Sequence, residues 1–207
     1  MKRVFVDVET TGFDFLRNDI ISICMIIKEG EKEIDRLIEY VRPENYEFWY
    51  DQSEEIHGIS REQSKEFQSR KSCADKILKL VESLGPWNEN IFINHAPYRK
   101  PGNLTFDYGM LYYFFYKQDL HYRFNKHLEM GNSYNTIKGK AEKFVWQDAG
   151  LENQKLSTWA KYLNFDLNHH EVVSDTECLV KVYEFQNPKE FTPDEILQMN
   201  FKRKCGG

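Results

Sequence analysis

Two acidic side chains stand two positions apart near the start of the chain, in the stretch Val4-Phe5-Val6-Asp7-Val8-Glu9. On a β-strand, residues i and i+2 point to the same face, so Asp7 and Glu9 project together. The three valines fill the opposite face, which favours a buried strand over an edge strand with solvated acids. Two carboxylates that leave water repel one another, and a hard divalent cation such as Mg²⁺ or Mn²⁺ relieves the repulsion. The pair therefore predicts a metal site.

Two further carboxylates, Asp107 and Asp175, lie near the predicted starts of helices. Taken alone, Asp107 is explained by the helix dipole, because a negative charge is stabilised in the first turn. Helices that return over a sheet can, however, bring their N-termini to the edge where Asp7 and Glu9 lie. Four acids at one place are balanced by two divalent cations, and two metals about 3.5–4 Å apart suit in-line attack on a phosphodiester. The four acids thus predict a two-metal hydrolase.

Such a hydrolase also needs a base for the attacking water, and a histidine titrates in the right range. His170 lies five residues before Asp175, on the approach to the same predicted helix. His169 has the same chemistry, but its spacing suits the helix entry less well. We therefore predict that His170 is the general base.

The composition bounds the kind of protein that carries these residues. The chain has 207 residues, 41% of them hydrophobic and 15% aromatic, without a low-complexity tract, which is typical of a folded globular domain. No apolar run approaches the roughly 20 residues that span a bilayer, and the N-terminus does not resemble a signal peptide. These features predict a cytoplasmic protein with no membrane association.

The cysteines and the net charge exclude further kinds of site and binding surface. Cys24, Cys73, Cys178 and Cys205 are widely separated, which argues against a zinc site and against a disulfide framework. The net charge of −5 argues against a broad polyanion-binding surface. Acids that hold divalent cations reverse the local field, so nucleic-acid binding remains compatible with this charge if it is local and metal-assisted.

The predicted elements belong to the α/β class. Strands are expected at Val4–Val8, Ile20–Lys28 and Glu33–Val41 as an antiparallel 1-2-3 meander, and Asn90–Asn94 is expected to join in parallel after a helix. The first strand is expected to be central. Helices are predicted at Ser72–Leu84, Thr105 to about Lys117, Thr136–Trp146, Ser157–Leu163 and Val172–Phe185. Ser72, Thr105 and Ser157 are expected to be the N-caps of three of them, and Ser60 and Gln63 are expected to form a capping box.

Two stretches allow two interpretations each. Tyr46, Phe48, Trp49 and Tyr50 form either a stacking platform for bases or a hydrophobic cluster under a long loop, and the cluster is slightly favoured. Arg99 and Lys100, in the loop Pro97–Leu104, either grip a phosphate or are solvated. Residues 188–207 are expected to be a short helix and a basic tail appended to a domain of residues 1–187.

The order of four motifs resembles a known family. Val-Asp-Val-Glu-Thr-Thr-Gly at 6–12, His-Gly-Ile at 57–59, Phe-Asp at 106–107 and His-x-x-x-x-Asp at 170–175 are similar to the DEDD exonuclease superfamily, histidine subclass. This subclass includes the epsilon proofreading subunit of bacterial DNA polymerase III. The resemblance spans about residues 4–185. It implies a ribonuclease H-like fold, with a five-stranded mixed sheet flanked by helices, and 3′→5′ removal of nucleoside monophosphates from single-stranded ends.

The resemblance also implies roles for individual residues. The metal ligands match Asp7, Glu9, Asp107 and Asp175, and the general base matches His170. The pocket for the 3′-terminal nucleotide matches Thr10, Thr11 and Gly12, and the segment near the terminal bases gives His57 and Ile59 a substrate role.

The sequence departs from the family pattern at two places. The family usually has Asn-Ala-x-Phe-Asp without interruption, whereas Pro97–Leu104 here separates Asn94-His95-Ala96 from Phe106-Asp107. Glu171 replaces the small or basic residue that commonly follows the histidine, and an extra acid there is expected to raise the pKa of His170.

The sequence as a whole predicts a 3′→5′ exonuclease that needs two Mg²⁺ or Mn²⁺ ions and acts on single-stranded ends, with DNA weakly favoured over RNA. A polymerase or another replication, repair or processing complex is a candidate partner. The alternatives are an enzyme that trims RNA 3′ ends and a nucleic-acid-binding module that keeps this fold without turnover.

Overall fold

A mixed β-sheet forms the centre of the computed structural model, which describes residues 1–96, the backbone of residues 98–99, and residues 104–129, 133–137, 147 and 149–187. The strands are β1 (Lys2–Thr10), β2 (Ile20–Glu29), β3 (Lys32–Tyr40), β4 (Asn90–Asn94), β5 (Tyr98–Arg99), β6 (Leu104–Thr105) and β7 (Ser133–Asn135). Five of them form one sheet in the order β3-β2-β1-β4-β7, and β5 and β6 form a separate pair. The first three strands are antiparallel, and β4 and β7 join in parallel. The predicted fold class and meander are confirmed, and since β1 is central, the edge-strand alternative is wrong.

Helices cover both faces of this sheet. They are α1 (Asp51–His57), α2 (Arg61–Lys65), α3 (Arg70–Ser83), α4 (Phe106–Tyr116), α5 (His121–Asn125), α6 (Leu156–Tyr162) and α7 (Val172–Gln186). On one face Val4, Val6 and Val8 pack with apolar residues of α3 and α4. On the other face Phe5 packs with Leu179 and Tyr183 of α7. The alternation of β1 thus sends its valines to one layer and its acids toward the other.

Some helix starts differ from the prediction. The capping box of Ser60 and Gln63 is confirmed. Helix α3, however, begins one turn early at Arg70 with Ser69 as its cap, so the predicted cap at Ser72 is wrong. The helix starts earlier because the Ser69 hydroxyl accepts a hydrogen bond from the Ser72 N–H. Arg70 in the added turn is buried and pairs with the buried Asp19 carboxylate at 2.5 Å.

Helix α6 also begins earlier than expected. It starts at the buried residue Leu156, and its N-cap residue Lys155 makes no capping hydrogen bond through its side chain. The predicted cap at Ser157 is therefore wrong. Thr136 and Ile137 form a turn after β7, and the rest of the predicted helix Thr136–Trp146 lies outside the described residues, as do residues 188–207.

The two ends of the insertion between Ala96 and Phe106 pair with each other. Tyr98 pairs with Thr105 and Arg99 with Leu104 in the antiparallel pair of β5 and β6. Lys100 and the Arg99 side chain lie outside the described residues, so the phosphate-gripping interpretation is not tested. Across the base, the Asn94 amide donates a hydrogen bond to the Thr105 hydroxyl at 3.1 Å. Helix α4 therefore starts beside the end of β4 despite the insertion.

Thr105 occupies the predicted N-cap position of α4, but its side chain makes no capping hydrogen bond. Its hydroxyl instead accepts the hydrogen bond from the Asn94 side-chain amide. Among the helices of the described residues, none has the length and apolar character that crossing a bilayer requires.

Candidate active site

The four predicted acids converge at one end of the central strand. Asp7 and Glu9 extend from β1, and Asp175 extends from the first turn of α7. One carboxylate oxygen from each of these three lies within 4.8 Å of the others. Asp107, in the first turn of α4, is buried, and its charge raises the pKa of both Asp7 and Glu9. The structure thus brings together residues that lie as far apart in the sequence as 7 and 175.

The four carboxylates of this cluster are groups of like charge that are largely removed from water. Burial is the largest cause of every shift, and repulsion from the neighbouring carboxylates adds to it, with Asp175 acting on all three. Together these causes raise the pKa of Asp7, of Glu9 to about 8 and of Asp107 to about 7. The cluster therefore holds protons at neutral pH unless a cation replaces them.

Two histidines adjoin the cluster through Asp175. The Nδ1 atom of His169 lies 3.2 Å from one carboxylate oxygen, and the backbone N–H of His170 donates to the other at 2.9 Å. The two imidazole rings stack with their centroids 3.7 Å apart. His170 has a φ of 66°, a left-handed conformation that non-glycine residues seldom adopt. Both rings thus lie beside the acids, although the sequence spacing favoured His170 alone.

Glu171 does not have the expected effect. Its carboxylate caps α7 by accepting hydrogen bonds from the backbone N–H groups of Val173 and Ser174. The pKa of His170 is lowered, not raised, because burial disfavours its charged form and the neighbouring His169 adds to this. The charge of Glu171 acts on Glu9 instead, where it contributes to the raised pKa.

Hydrogen bonds from neighbouring groups fix the conformation of the Thr10-Thr11-Gly12 turn. The Thr10 hydroxyl donates to the Gly12 carbonyl at 2.7 Å, and the Thr11 hydroxyl accepts from the Asp19 N–H at 2.9 Å. Asn18, which is buried, donates through its amide to the Phe48 carbonyl at 2.6 Å and to the Thr11 carbonyl at 3.3 Å. A Cβ on Gly12 would lie 2.7 Å from the Asn18 side chain, so this close approach requires glycine.

His57 has a structural contact as well as a place in the site. Its Nδ1 atom accepts a hydrogen bond from the Ile59 N–H at 3.1 Å, which shapes the His-Gly-Ile segment after α1. Burial lowers the pKa of His57 to about 4, so the ring is neutral at physiological pH. His57 and Ile59 line a cleft of about 370 Å³ together with Glu9, His169 and His170.

The same cleft includes residues that the sequence interpretation missed. Glu9 pairs with Ser22 of β2, and Ser22 pairs with Tyr40 of β3, so these three form one row across the sheet and all line the cleft. The predicted meander implied such rows, but the register also depends on turn lengths and on a bulge after Glu9. Asn18 was missed too, since nothing in a short polar connection signals a contact with residue 48.

The aromatic segment before α1 contains the hydrophobic cluster that the sequence slightly favours, and the base-stacking interpretation stays a prediction. Trp49 is buried and stacks on Tyr46 with ring centroids 6.0 Å apart, which is the hydrophobic cluster. Phe48 and Tyr50 remain exposed. Only the outer pair is available for stacking on a base.

Comparison with known proteins gives a consistent result. The model of the RNase_T family, described as exonuclease, matches residues 4–183. A zinc-bound complex of Escherichia coli exonuclease I with single-stranded DNA is 14% identical at a TM-score of 0.72, over 91% of this chain and 41% of that one. An E. coli exonuclease I complex with a dA16 oligonucleotide is 16% identical at a TM-score of 0.72, over 97% and 43%. No curated protein sequence matches significantly. The chain spans less than half the length of these solved structures, and at this identity they establish the fold alone.

Proposed function

The chain belongs to the RNase_T exonuclease family, and from that premise we propose that it is a metal-dependent 3′→5′ exonuclease acting on single-stranded ends. We assign it to the histidine subclass of the DEDD superfamily, similar to the epsilon proofreading subunit. The observation that carries the proposal is the convergence of Asp7, Glu9, Asp107 and Asp175 beside two histidines.

The residues fit two divalent cations, Mg²⁺ or Mn²⁺. All four donors are carboxylates, the hard oxygen ligands that these ions prefer. Their pKa values are raised by burial and mutual repulsion, which is the penalty that bound cations remove. When bound, the cations supply a nucleophilic water at neutral pH and stabilise negative charge on the reacting phosphate.

The protein groups account for the remaining requirements of hydrolysis. We propose that His170 accepts the proton of the attacking water, because it borders the cleft and its backbone is fixed by Asp175. The turn at Thr10, Thr11 and Gly12, together with His57 and Ile59, would hold the 3′-terminal nucleotide. Hydrogen bonds from Asn18 and Asp19 make this turn rigid, so the 3′ end of the nucleic acid would be positioned without a large change in the turn.

Single-stranded DNA is the proposed substrate. E. coli exonuclease I, which shares the fold, has been solved with single-stranded DNA and with oligonucleotides. RNA 3′-end trimming uses the same chemistry and is the second candidate, while a binding module without turnover is the third. An assembly with a polymerase or another replication, repair or processing complex, and a cytoplasmic location, stay predictions.

One gel assay separates these candidates. Single-stranded DNA, duplex DNA and RNA, each labelled at one end, are incubated with Mg²⁺, Mn²⁺ or chelator. The proposal predicts stepwise shortening of 5′-labelled single-stranded DNA with either metal and none with chelator. Faster shortening of RNA would favour the trimming enzyme, and binding without shortening of any substrate would favour the binding module.

A further inference from the structure

We propose that aromatic side chains along α4 and α5 form a second binding track, which holds single-stranded nucleic acid upstream of the terminal nucleotide. This aromatic track consists of Phe106, Tyr112, Tyr113, Tyr116, His121 and Tyr122. The inference rests on the proposed function, since it extends the path of the same strand beyond the cleft.

The rings of the track from Tyr112 to Tyr122 contact one another in succession. Tyr113 lies 5.9 Å from Tyr116, Tyr116 lies 5.0 Å from His121, and His121 lies 6.2 Å from Tyr122, measured between ring centroids. Tyr112 stacks on Tyr116 at 6.2 Å. These separations are those of aromatic side chains that pack as one surface.

The ring of Phe15 is buried and supports Phe106 and Tyr113 from the protein side. Its ring lies 6.1 Å from Phe106 and stacks on Tyr113 at 5.7 Å. It passes directly over Gly109, where a Cβ would lie 2.4 Å from the ring. A larger residue at 109 would displace Phe15, so glycine at this position preserves the packing beneath Phe106 and Tyr113.

The track begins at the candidate active site. Phe106 precedes Asp107 directly, and Phe13, which follows Gly12, lies 6.1 Å from Phe106 and 5.8 Å from Tyr50. From there α4 carries the rings away from the acids: Tyr116 is ten residues after Phe106, a rise of about 15 Å at 1.5 Å per residue. That is the length of a few nucleotides of extended strand.

The exposure of the aromatic faces of the track favours nucleic acid as the occupant. Tyr116 is 49% exposed and Tyr122 is 56% exposed, which is unusual for clustered rings in contact with water. Aromatic faces stack on any base, so a row of such rings can hold a single strand whatever its sequence. The charges nearby are mixed, with Lys126 one turn after Tyr122 and Asp119 between the helices. Stacking rather than ionic attraction therefore dominates, and the contribution of the track should depend weakly on salt.

The test varies substrate length. Initial rates with Mg²⁺ are measured on three-nucleotide and twelve-nucleotide oligothymidylates, for the wild type and for the double variant Tyr116→Ala/Tyr122→Ala. The proposal predicts that KM for the long substrate rises about tenfold or more while kcat and the KM for the short substrate stay unchanged. Tyr116→Phe/Tyr122→Phe should retain the wild-type KM because the stacking faces remain.

Tyr162→Ala is the matched control, since Tyr162 on α6 is 47% exposed and lies outside the track. Equal changes for both substrate lengths, or no change, would overturn the proposal and leave the track as a surface for a protein partner. Anisotropy of a dye-labelled twelve-nucleotide strand in chelator gives a readout without turnover. If the wild type binds this strand but cleaves no substrate, and the double variant does not bind it, the proposed function is refuted while the track is supported.

Discussion

The Asn94 amide donates a hydrogen bond to the Thr105 hydroxyl at 3.1 Å, across the base of an insertion that interrupts the family motif. Both side chains are fully buried. The bond joins the end of β4 to the residue before α4 and so positions Asp107, which lies in the first turn of that helix. This contact explains why Asp107 stays close to the end of β4 although Pro97–Leu104 is inserted between them.

Breaking that contact should misplace Asp107. We expect Asn94→Ala to lower kcat about tenfold to a hundredfold, because small displacements of catalytic groups are costly. The loss of a buried hydrogen bond should also reduce the free energy of unfolding by about 1–3 kcal/mol. Steady-state rates and denaturant unfolding measure the two effects, and Thr105→Val should reproduce both. Wild-type kcat in both variants would show that the insertion needs no such brace.

The two stacked histidines should contribute unequally. If His170 is the general base, His170→Ala lowers kcat about 10²–10⁴-fold. His169→Ala should cost less, since its contact with Asp175 orients a carboxylate that bound cations would also orient. Single-turnover rates at saturating Mg²⁺ compare them directly. A larger loss in His169→Ala would reverse the assignment.

Without divalent cations, stability should fall as pH rises from about 6.5 to 8. The pKa values of Glu9, about 8, and Asp107, about 7, exceed their ordinary values of 4.5 and 3.8, so the folded state keeps protons that the unfolded state has lost. Their deprotonation at higher pH therefore favours unfolding. Below pH 6.5, His57 and His95, with pKa values near 4, act in the opposite direction, because the unfolded chain binds protons that the folded chain excludes.

The measurement is the melting temperature between pH 5.5 and 8.5, in chelator and in Mg²⁺. We expect a decline of a few degrees above pH 6.5 in chelator and a flatter profile in Mg²⁺. Glu9→Gln removes one of the responsible groups and should reduce the slope. Parallel profiles with and without Mg²⁺ would argue against cation binding at these carboxylates.

The turn after β1 should tolerate no side chain at position 12. Gly12→Ala places a Cβ 2.7 Å from the Asn18 side chain, and we expect it to raise KM more than it lowers kcat, since the turn is proposed to hold the strand end. Asn18→Ala alone should weaken binding moderately. The double variant should recover part of the Gly12→Ala loss because the clash is gone. Additive losses in the double variant would mean that the two residues do not act on each other.

Local pattern predicted much of this structure. Alternation in β1 separated Val4, Val6 and Val8 from Asp7 and Glu9, and both faces lie where that period places them. Contacts between distant segments escaped prediction because no local period encodes them. The Arg70–Asp19 pair in the added turn of α3 is such a contact, and the Glu171 cap of α7 was not predicted either. A left-handed backbone at His170 brings both rings near Asp175, which the sequence spacing did not indicate for His169.

The central claim is that the four converging carboxylates hold cations that drive hydrolysis from the 3′ end. Product analysis of 5′-labelled single-stranded DNA during a Mg²⁺ titration tests it most directly, with Asp7→Ala as the comparison. We predict nucleoside monophosphates and a ladder of shortened strands from the wild type only in Mg²⁺, and none from an Asp7→Ala variant that remains folded. Undiminished release by Asp7→Ala, or by the wild type in chelator, would contradict the account.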